Sequence, residues 1–176
     1  RAAREAELYA RYRVDHVVGL YRTYFRRNDG GPPGFSPQDE PAQIRQGENA
    51  LAILGAGGRV IAEDLGVVPD FVRASLTRMD IPGFRVLRWE KRHDGSFRDP
   101  QREWPTRSVA TNGTHDTEPS ATWWNELPRH ERRALLALPG LGHLDEAQEW
   151  DDRVRDALLR VLYAAPSELL IVPFQD

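Results

Sequence analysis

The spacing of apolar positions along the chain changes several times, and each change marks an element. Val60-Ile61-Ala62 is a short apolar run that climbs to Glu63-Asp64 and breaks at Gly66. That is the form of a buried parallel strand whose last side chain faces a ligand, with an acidic turn after an edge strand as the alternative for this stretch alone. Two other strand-like runs end the same way, at Arg13-Val14-Asp15-His16 and at Asn112-Gly113-Thr114-His115-Asp116. Between them the period becomes helical. Ile44, Leu51 and Leu54 share a stripe in a helix expected over Asp39 to Leu54, stopped by Gly55-Ala56-Gly57-Gly58 before a strand at Arg59 to Glu63. Val72, Leu76 and Met79 form an i, i+4, i+7 face behind Pro69.

The remaining elements follow the same logic. A helix over Ala2 to Tyr12 feeds a strand at Tyr12 to Asp15, and Pro82-Gly83 opens a strand at Phe84 to Trp89. His93 to Arg107 is polar and turn-rich, Ser108 to Asn112 is strand-like, and helices are expected up to Trp124 and over Arg129 to Leu138. Trp150, Val154, Ala157, Leu158 and Val161 mark an amphipathic helix, and Leu169 to Val172 reads as a continuous buried strand. Strands and helices therefore alternate, which predicts an α/β fold with a parallel sheet. Gly55-Ala56-Gly57-Gly58 precedes a strand rather than a helix, the wrong order for a dinucleotide loop. Asn28 to Pro37 is punctuated by glycine and proline throughout, so it is neither helix nor interior strand. A loop of that length is expected to be a mobile flap near the site, with a plain surface loop as the alternative.

Composition narrows the classes. The 176 residues are 40% hydrophobic, enough for a core, and 29% charged with a net charge of -3. No field-driven partner such as nucleic acid or an anionic membrane is indicated. There is no cysteine, so disulfides and thiolate metal sites are excluded. No apolar run approaches a membrane span and no signal peptide opens the chain, so a cytoplasmic protein is expected. The first residue is arginine, which suggests a piece of a longer product.

Ligands of parallel α/β folds lie at the carboxyl ends of the strands, where Asp15, Glu63 and Asp116 would share one mouth. Three carboxylates there serve either a hard metal or acid/base and nucleophilic work on a sugar. His16 and His115 are open to three uses: metal ligation, hydrogen bonding to a substrate hydroxyl, or a structural role. Strand neighbours point to opposite faces, which argues against each His and Asp pair meeting one ion. Arg13 lies on the same side of its strand as Asp15 and can hold it ionised and oriented. Glu63, with its apolar approach, is the better candidate for a raised pKa and a shared proton, and Asp116 for stabilising an oxocarbenium-like transition state. Trp89, at a strand exit, is a candidate platform for a sugar ring, whereas Trp123 and Trp124 are read mainly as core.

The motifs R-V-D-H-V-V-G, V-I-A-E-D-L-G-V-V-P, I-P-G-F-R-V-L-R-W and N-G-T-H-D-T-E-P-S-A-T-W-W occur in this order. Together they resemble the 4-α-glucanotransferase (amylomaltase, or disproportionating enzyme) family of the α-amylase clan. The resemblance covers essentially the whole chain. It implies a (β/α)8 TIM-barrel glycosidase of which residues 1–176 are the C-terminal half-barrel, from about the fourth strand to the eighth, within a single catalytic domain. It implies Asp15 as nucleophile, Glu63 as acid/base and Asp116 as transition-state stabiliser, with Arg13, His16 and His115 as substrate-site partners. The implied reaction is transfer of α-1,4-glucan segments between maltooligosaccharides, starch or glycogen chains by retaining double displacement, with no metal and no cofactor. An α-glucan hydrolase of the same clan and a non-catalytic glucan-binding or folding piece are the alternatives. Two departures stand out: Val18 occupies the arginine position of the family's D-H-F-R-G, and His115-Asp116-Thr117-Glu118 replaces H-D-N-D. Both bear on subsite contacts and acceptor preference. The early strands of such a barrel are not in this sequence, so the missing N-terminal half is an expected partner and the isolated piece is expected to be inactive.

Overall fold

A computed structural model describes residues 2–55 and 60–176. The expected glycine stop at Ala56 to Gly58 and the strand start at Arg59 lie outside the described residues. The chain divides into two compact units, Arg1–Phe84 and Arg85–Asp176.

In the first unit, α1 (Ala2–Leu8) leads to β1 (Tyr12–Val14), a single turn α2 (Val18–Tyr21) and β2 (Thr23–Phe25). Then come β3 (Gly34–Ser36), α3 (Glu40–Leu54), β4 (Val60–Ala62), α4 (Asp70–Arg78) and β5 (Gly83–Val86), whose last residues enter the second unit. β1, β4 and β5 are parallel neighbours, with Val14 opposite Ala62 and Ala62 opposite Gly83. All three residues of β4 are buried, as expected of a strand covered on both faces.

α3 is capped by Asp39, whose side chain accepts the Ala42 N–H at 2.8 Å, with Pro41 in the first turn. Its buried stripe is Gln43, Gly47 and Leu51, with Ile44 only half-buried. Gly47 leaves the space taken by the Tyr21 ring, since a Cβ there would stand 2.3 Å from Tyr21 Cδ1. The Tyr21 hydroxyl donates to Ser75 Oγ at 2.9 Å, and Ser75 donates to Glu48 at 2.8 Å, tying α2, α3 and α4 together. Val17, Tyr21, Leu51, Val60, Ala62, Val72 and Leu76 form this unit's core.

Part of the Gly/Pro-rich stretch is ordered pairing. Gly34–Ser36 is antiparallel to Thr23–Phe25, with Tyr24 opposite Phe35. An edge-to-face contact at 5.4 Å between those two rings and the Arg22 guanidinium 4.0 Å over Phe35 fix the ribbon. A two-stranded ribbon has no interior strand, so the prolines around it remove no ladder bond.

The second unit contains a 3-10 turn (Leu87–Trp89), α5 (Pro100–Glu103), β6 (Ser108–Thr111), α6 (Ser120–Glu126), α7 (Arg129–Leu136), α8 (Asp152–Tyr163) and β7 (Leu169–Leu170). β6 and β7 are parallel, Val109 opposite Leu169. Trp124, Leu135, Leu141 and Val154 are fully buried at the centre of the core, and Trp124 Nε1 donates to the Gln148 carbonyl at 2.8 Å. Trp124 is thus core, as read from the sequence, while Trp123 is half-buried beneath the Arg88 guanidinium at 5.0 Å.

Two expectations are corrected. Leu87, Arg88 and Trp89 are not strand but a 3-10 turn, in which Arg88 folds inward onto the buried Asn112 carbonyl. The C-terminal strand is two half-buried residues, and Ile171 is 47% exposed. It has a sheet neighbour on one side only among the described residues.

Candidate active site

The exits of β1 and β4 carry the first cluster. The ladder runs one step past the strands: Glu63 N–H donates to the Val14 carbonyl at 2.9 Å, and Val17 N–H donates to the Glu63 carbonyl at 3.0 Å. Parallel register therefore delivers Asp15 and Glu63 at the same level. Arg13 Nη2 stands 2.7 Å from Asp15 Oδ1 and 4.0 Å from Glu63 Oε2. That single nitrogen limits the separation of the two oxygens to about 6.7 Å. An upper limit of that size on the nearest oxygens is compatible with the roughly 5 Å between the carboxyl groups of a retaining pair. The Asp15 side chain is 75% exposed and that of Glu63 12%, so one acid faces solvent and the other is recessed.

His16 enters through its backbone. Its N–H donates to Glu63 Oε2 at 2.7 Å, and Leu65 N–H donates to Glu63 Oε1 at 3.0 Å. The left-handed φ of 44° at His16 is uncommon for a non-glycine residue. It turns the chain at the strand end and aims that N–H at the carboxylate. Val60, Ile61 and Ala62 are buried as expected, but the apolar setting stops there. The Glu63 carboxylate itself meets two backbone donors and a guanidinium rather than apolar side chains.

Asp64, next to Glu63, is a structural acid that the sequence motifs do not single out. It is 2% exposed and accepts the Phe84 N–H at 2.7 Å, with Arg73 Nη1 at 3.6 Å. A side chain that satisfies a backbone donor of β5 fixes the neighbouring strand beside Glu63. The available signal was a second acid directly after a fully buried run, where a carboxylate persists only if it is paired.

Asp116, His115 and Trp89 belong to the second unit. The Asp116 side chain is 78% exposed and lies 3.3 Å from His115 Nε2. Strand alternation does not separate this pair, because both residues sit in a turn. Thr114 N–H donates to Thr117 Oγ1 at 3.0 Å and Thr117 Oγ1 donates back to the Thr114 carbonyl at 2.9 Å, so the turn is internally braced. Trp89 is 49% exposed. Among the described residues, no group of three or more His, Asp or Glu side chains could hold a metal ion. No helix among them is long and apolar enough to cross a membrane.

Parallel strands that release an ion-paired aspartate and a recessed glutamate at adjacent carboxyl ends define an α/β protein with a carboxylate site at its strand exits. A family profile described as 4-alpha-glucanotransferase matches residues 1–176, and the chain belongs to that family. The 4-alpha-glucanotransferase of Chlamydia pneumoniae is 35% identical over 137 residues, which cover 74% of this chain and 26% of the relative. The chloroplastic/amyloplastic 4-alpha-glucanotransferase of Solanum tuberosum is 26% identical over 187 residues, covering all of this chain and 29% of the relative. The chain thus spans about a quarter of the length of the curated relatives it matches. Amylomaltase from Streptococcus agalactiae, solved in complex with acarbose, superposes with a TM-score of 0.71 at 20% identity, over 99% of this chain and 34% of that one. The fold is that of part of an amylomaltase, in line with the partial α/β barrel expected from the motifs.

Proposed function

We propose that this chain supplies catalytic residues of a cytoplasmic 4-α-glucanotransferase acting on maltooligosaccharides and starch or glycogen chains. The observation that carries the reading is the Arg13 clamp on two carboxylates at adjacent strand exits, an arrangement compatible with a retaining pair. Family membership and the acarbose-bound structural neighbour support a glucan as the ligand.

In the proposed cycle Asp15, exposed and oriented by Arg13, attacks the anomeric carbon while Glu63 protonates the leaving glycosidic oxygen. The two backbone N–H bonds to Glu63 take one acceptor site on each oxygen. A carboxylate offers about four such sites, so a proton can be carried on the side facing the substrate. The second half-reaction runs in reverse: Glu63 removes the proton of an acceptor sugar hydroxyl, which attacks the glucosyl–Asp15 ester. Asp116 is assigned by its motif to stabilise positive charge at the anomeric carbon, and Trp89, His16 and His115 to contact the sugar. Residues 1–176 would be the C-terminal part of one catalytic domain whose N-terminal half completes it, with Asn28 to Pro37 as a loop near the site whose motion is limited to the part outside the Gly34–Ser36 pairing.

The test is Glu63→Gln in the full chain, incubated with maltotriose and the products resolved by size. Glucose with longer maltooligosaccharides in the wild type, and their near-complete loss in the variant, is the expected outcome. Wild-type turnover in the variant would sink the assignment, and glucose without longer chains would make the enzyme a hydrolase.

A further inference from the structure

The turn that carries His115 and Asp116 is held from beneath by a buried cation that the proposed cycle does not use. The Arg88 side chain is 2% exposed. Its Nε donates to the Asn112 carbonyl at 2.7 Å. Its Nη1 donates to the Glu118 carbonyl at 3.1 Å and to Glu118 Oε1 at 3.0 Å. Its Nη2 reaches Ser120 Oγ at 3.4 Å. These partners bracket the turn on both sides of Asp116. The base is closed a second time, because Asn112 Nδ2 donates to Ser120 Oγ at 2.8 Å and to Asp176 Oδ2 at 3.0 Å, and Ser120 N–H donates to Asp176 Oδ1 at 2.5 Å. The fit is close. A Cβ at Gly113 would stand 3.0 Å from Arg88 Nη2 and 2.7 Å from Thr117 Oγ1.

Resting on the proposed function, we infer that Arg88 is a positioning residue for the transfer reaction, locking the 113–118 turn so that the Asp116 carboxylate is presented in one place. The Asp116 N–H donates to Thr114 Oγ1 at 3.3 Å and His115 Nε2 lies 3.3 Å from the Asp116 carboxylate, contacts that stay within the turn. Thr114 and Thr117 brace its interior, while Asp116 and His115 stand in solvent, 78% and 69% exposed. What relates the turn to the end of β5 is the guanidinium, which joins two carbonyls, a carboxylate and a hydroxyl. Burial of that charge is costly and lowers the Arg88 pKa, opposed by Glu118 and then Asp176. A neutral side chain of similar length would fill the same space at less desolvation cost. A buried arginine is therefore explained by the geometry it imposes.

The experiment is a double-mutant cycle in the full chain, with Arg88→Met, Arg88→Lys, Asp116→Asn and Arg88→Met combined with Asp116→Asn, each assayed for kcat and KM on maltotriose. Arg88→Met is expected to lower kcat by on the order of 10²-fold, the cost of misplacing a catalytic group by about 1 Å. KM is expected to change by less than about threefold, since the loss is confined to the transition state. Arg88→Lys, which keeps the charge and fold but not the fork, is expected to fall between. The deciding number is the coupling: with Asn at 116, Arg88→Met should cost less than about twofold more. If the two losses multiply, Arg88 serves the fold alone and the inference is overturned. Should Arg88→Met not fold, Arg88→Lys combined with Asp116→Asn reads the same coupling. Wild-type turnover in Asp116→Asn would overturn the assignment of Asp116 and this inference together, whereas loss there with multiplicative effects overturns only this one.

Discussion

Replacing Arg13 by methionine separates what the clamp does for stability from what it does for turnover. Methionine keeps the aliphatic stem and removes the nitrogen that stands 2.7 Å from Asp15 and 4.0 Å from Glu63. Asp15, 75% exposed, is re-solvated by water, and Glu63 keeps its bonds from the His16 and Leu65 N–H groups. The stability loss is then that of an exposed ion pair, about 0–1 kcal/mol. For a chain of this size that is a fall in Tm of roughly 4 °C or less. Turnover is a different matter. Asp15 loses the group that orients it, and a displacement near 1 Å at a reacting atom costs on the order of 10²-fold. We expect kcat to fall by about that factor with KM little changed, and Arg13→Lys to recover only part, because the shorter lysine stem does not carry its ammonium to the position of Nη2. Initial rates of glucose release from maltotriose, beside a thermal scan of the same samples, make the comparison. A kcat within about threefold of wild type would refute the orienting role. A Tm lowered by about 10 °C or more would show that Arg13 is part of the fold.

Two further predictions concern the frame that carries the site. Gly47→Ala gains helix propensity of about 1 kcal/mol, but its Cβ would stand 2.3 Å from the ring of the fully buried Tyr21, which is also held by Ser75. The net effect is a destabilisation of about 1–3 kcal/mol in urea titration, and an unchanged midpoint would refute the close packing. The Glu48 carboxyl is held below the usual glutamate range by its hydrogen bond from Ser75, opposed by desolvation and helped by Arg78. A pKa depressed on folding stabilises above the unfolded value of about 4.3 and is lost as pH falls through the folded one. Glu48→Gln should therefore lower Tm at pH 7, and the gap should close in acid. A gap that persists at low pH would mean that packing, not charge, is what Glu48 contributes.

Much of this protein was determined by sequence alone, for a physical reason. Burial imposes a period, so Val60-Ile61-Ala62 had to be a strand covered on both faces and Val72 with Leu76 had to face a core. Ile44, Leu51 and Leu54 placed a helix over Asp39 to Leu54 because one face of it had to be hidden. Arg13 and Asp15 pair because two residues apart on a strand means the same face.

Only the tertiary structure decided the features whose partners are distant along the chain. Gly34–Ser36 is a strand because Thr23–Phe25 lies beside it, and Leu87–Trp89 bends into a turn in which Arg88 reaches Asn112 and Ser120. Leu169 and Leu170 are apolar enough for a buried strand, yet they are half-exposed, since composition cannot tell an edge from a centre. Gly47 and Asp64 gave no periodic signal. Their meaning lies in a ring and a backbone N–H, contributed by Tyr21 and Phe84, that no local pattern encodes. A sequence states which face each element must hide, and the pairing of one distant group with another is settled only when those faces meet.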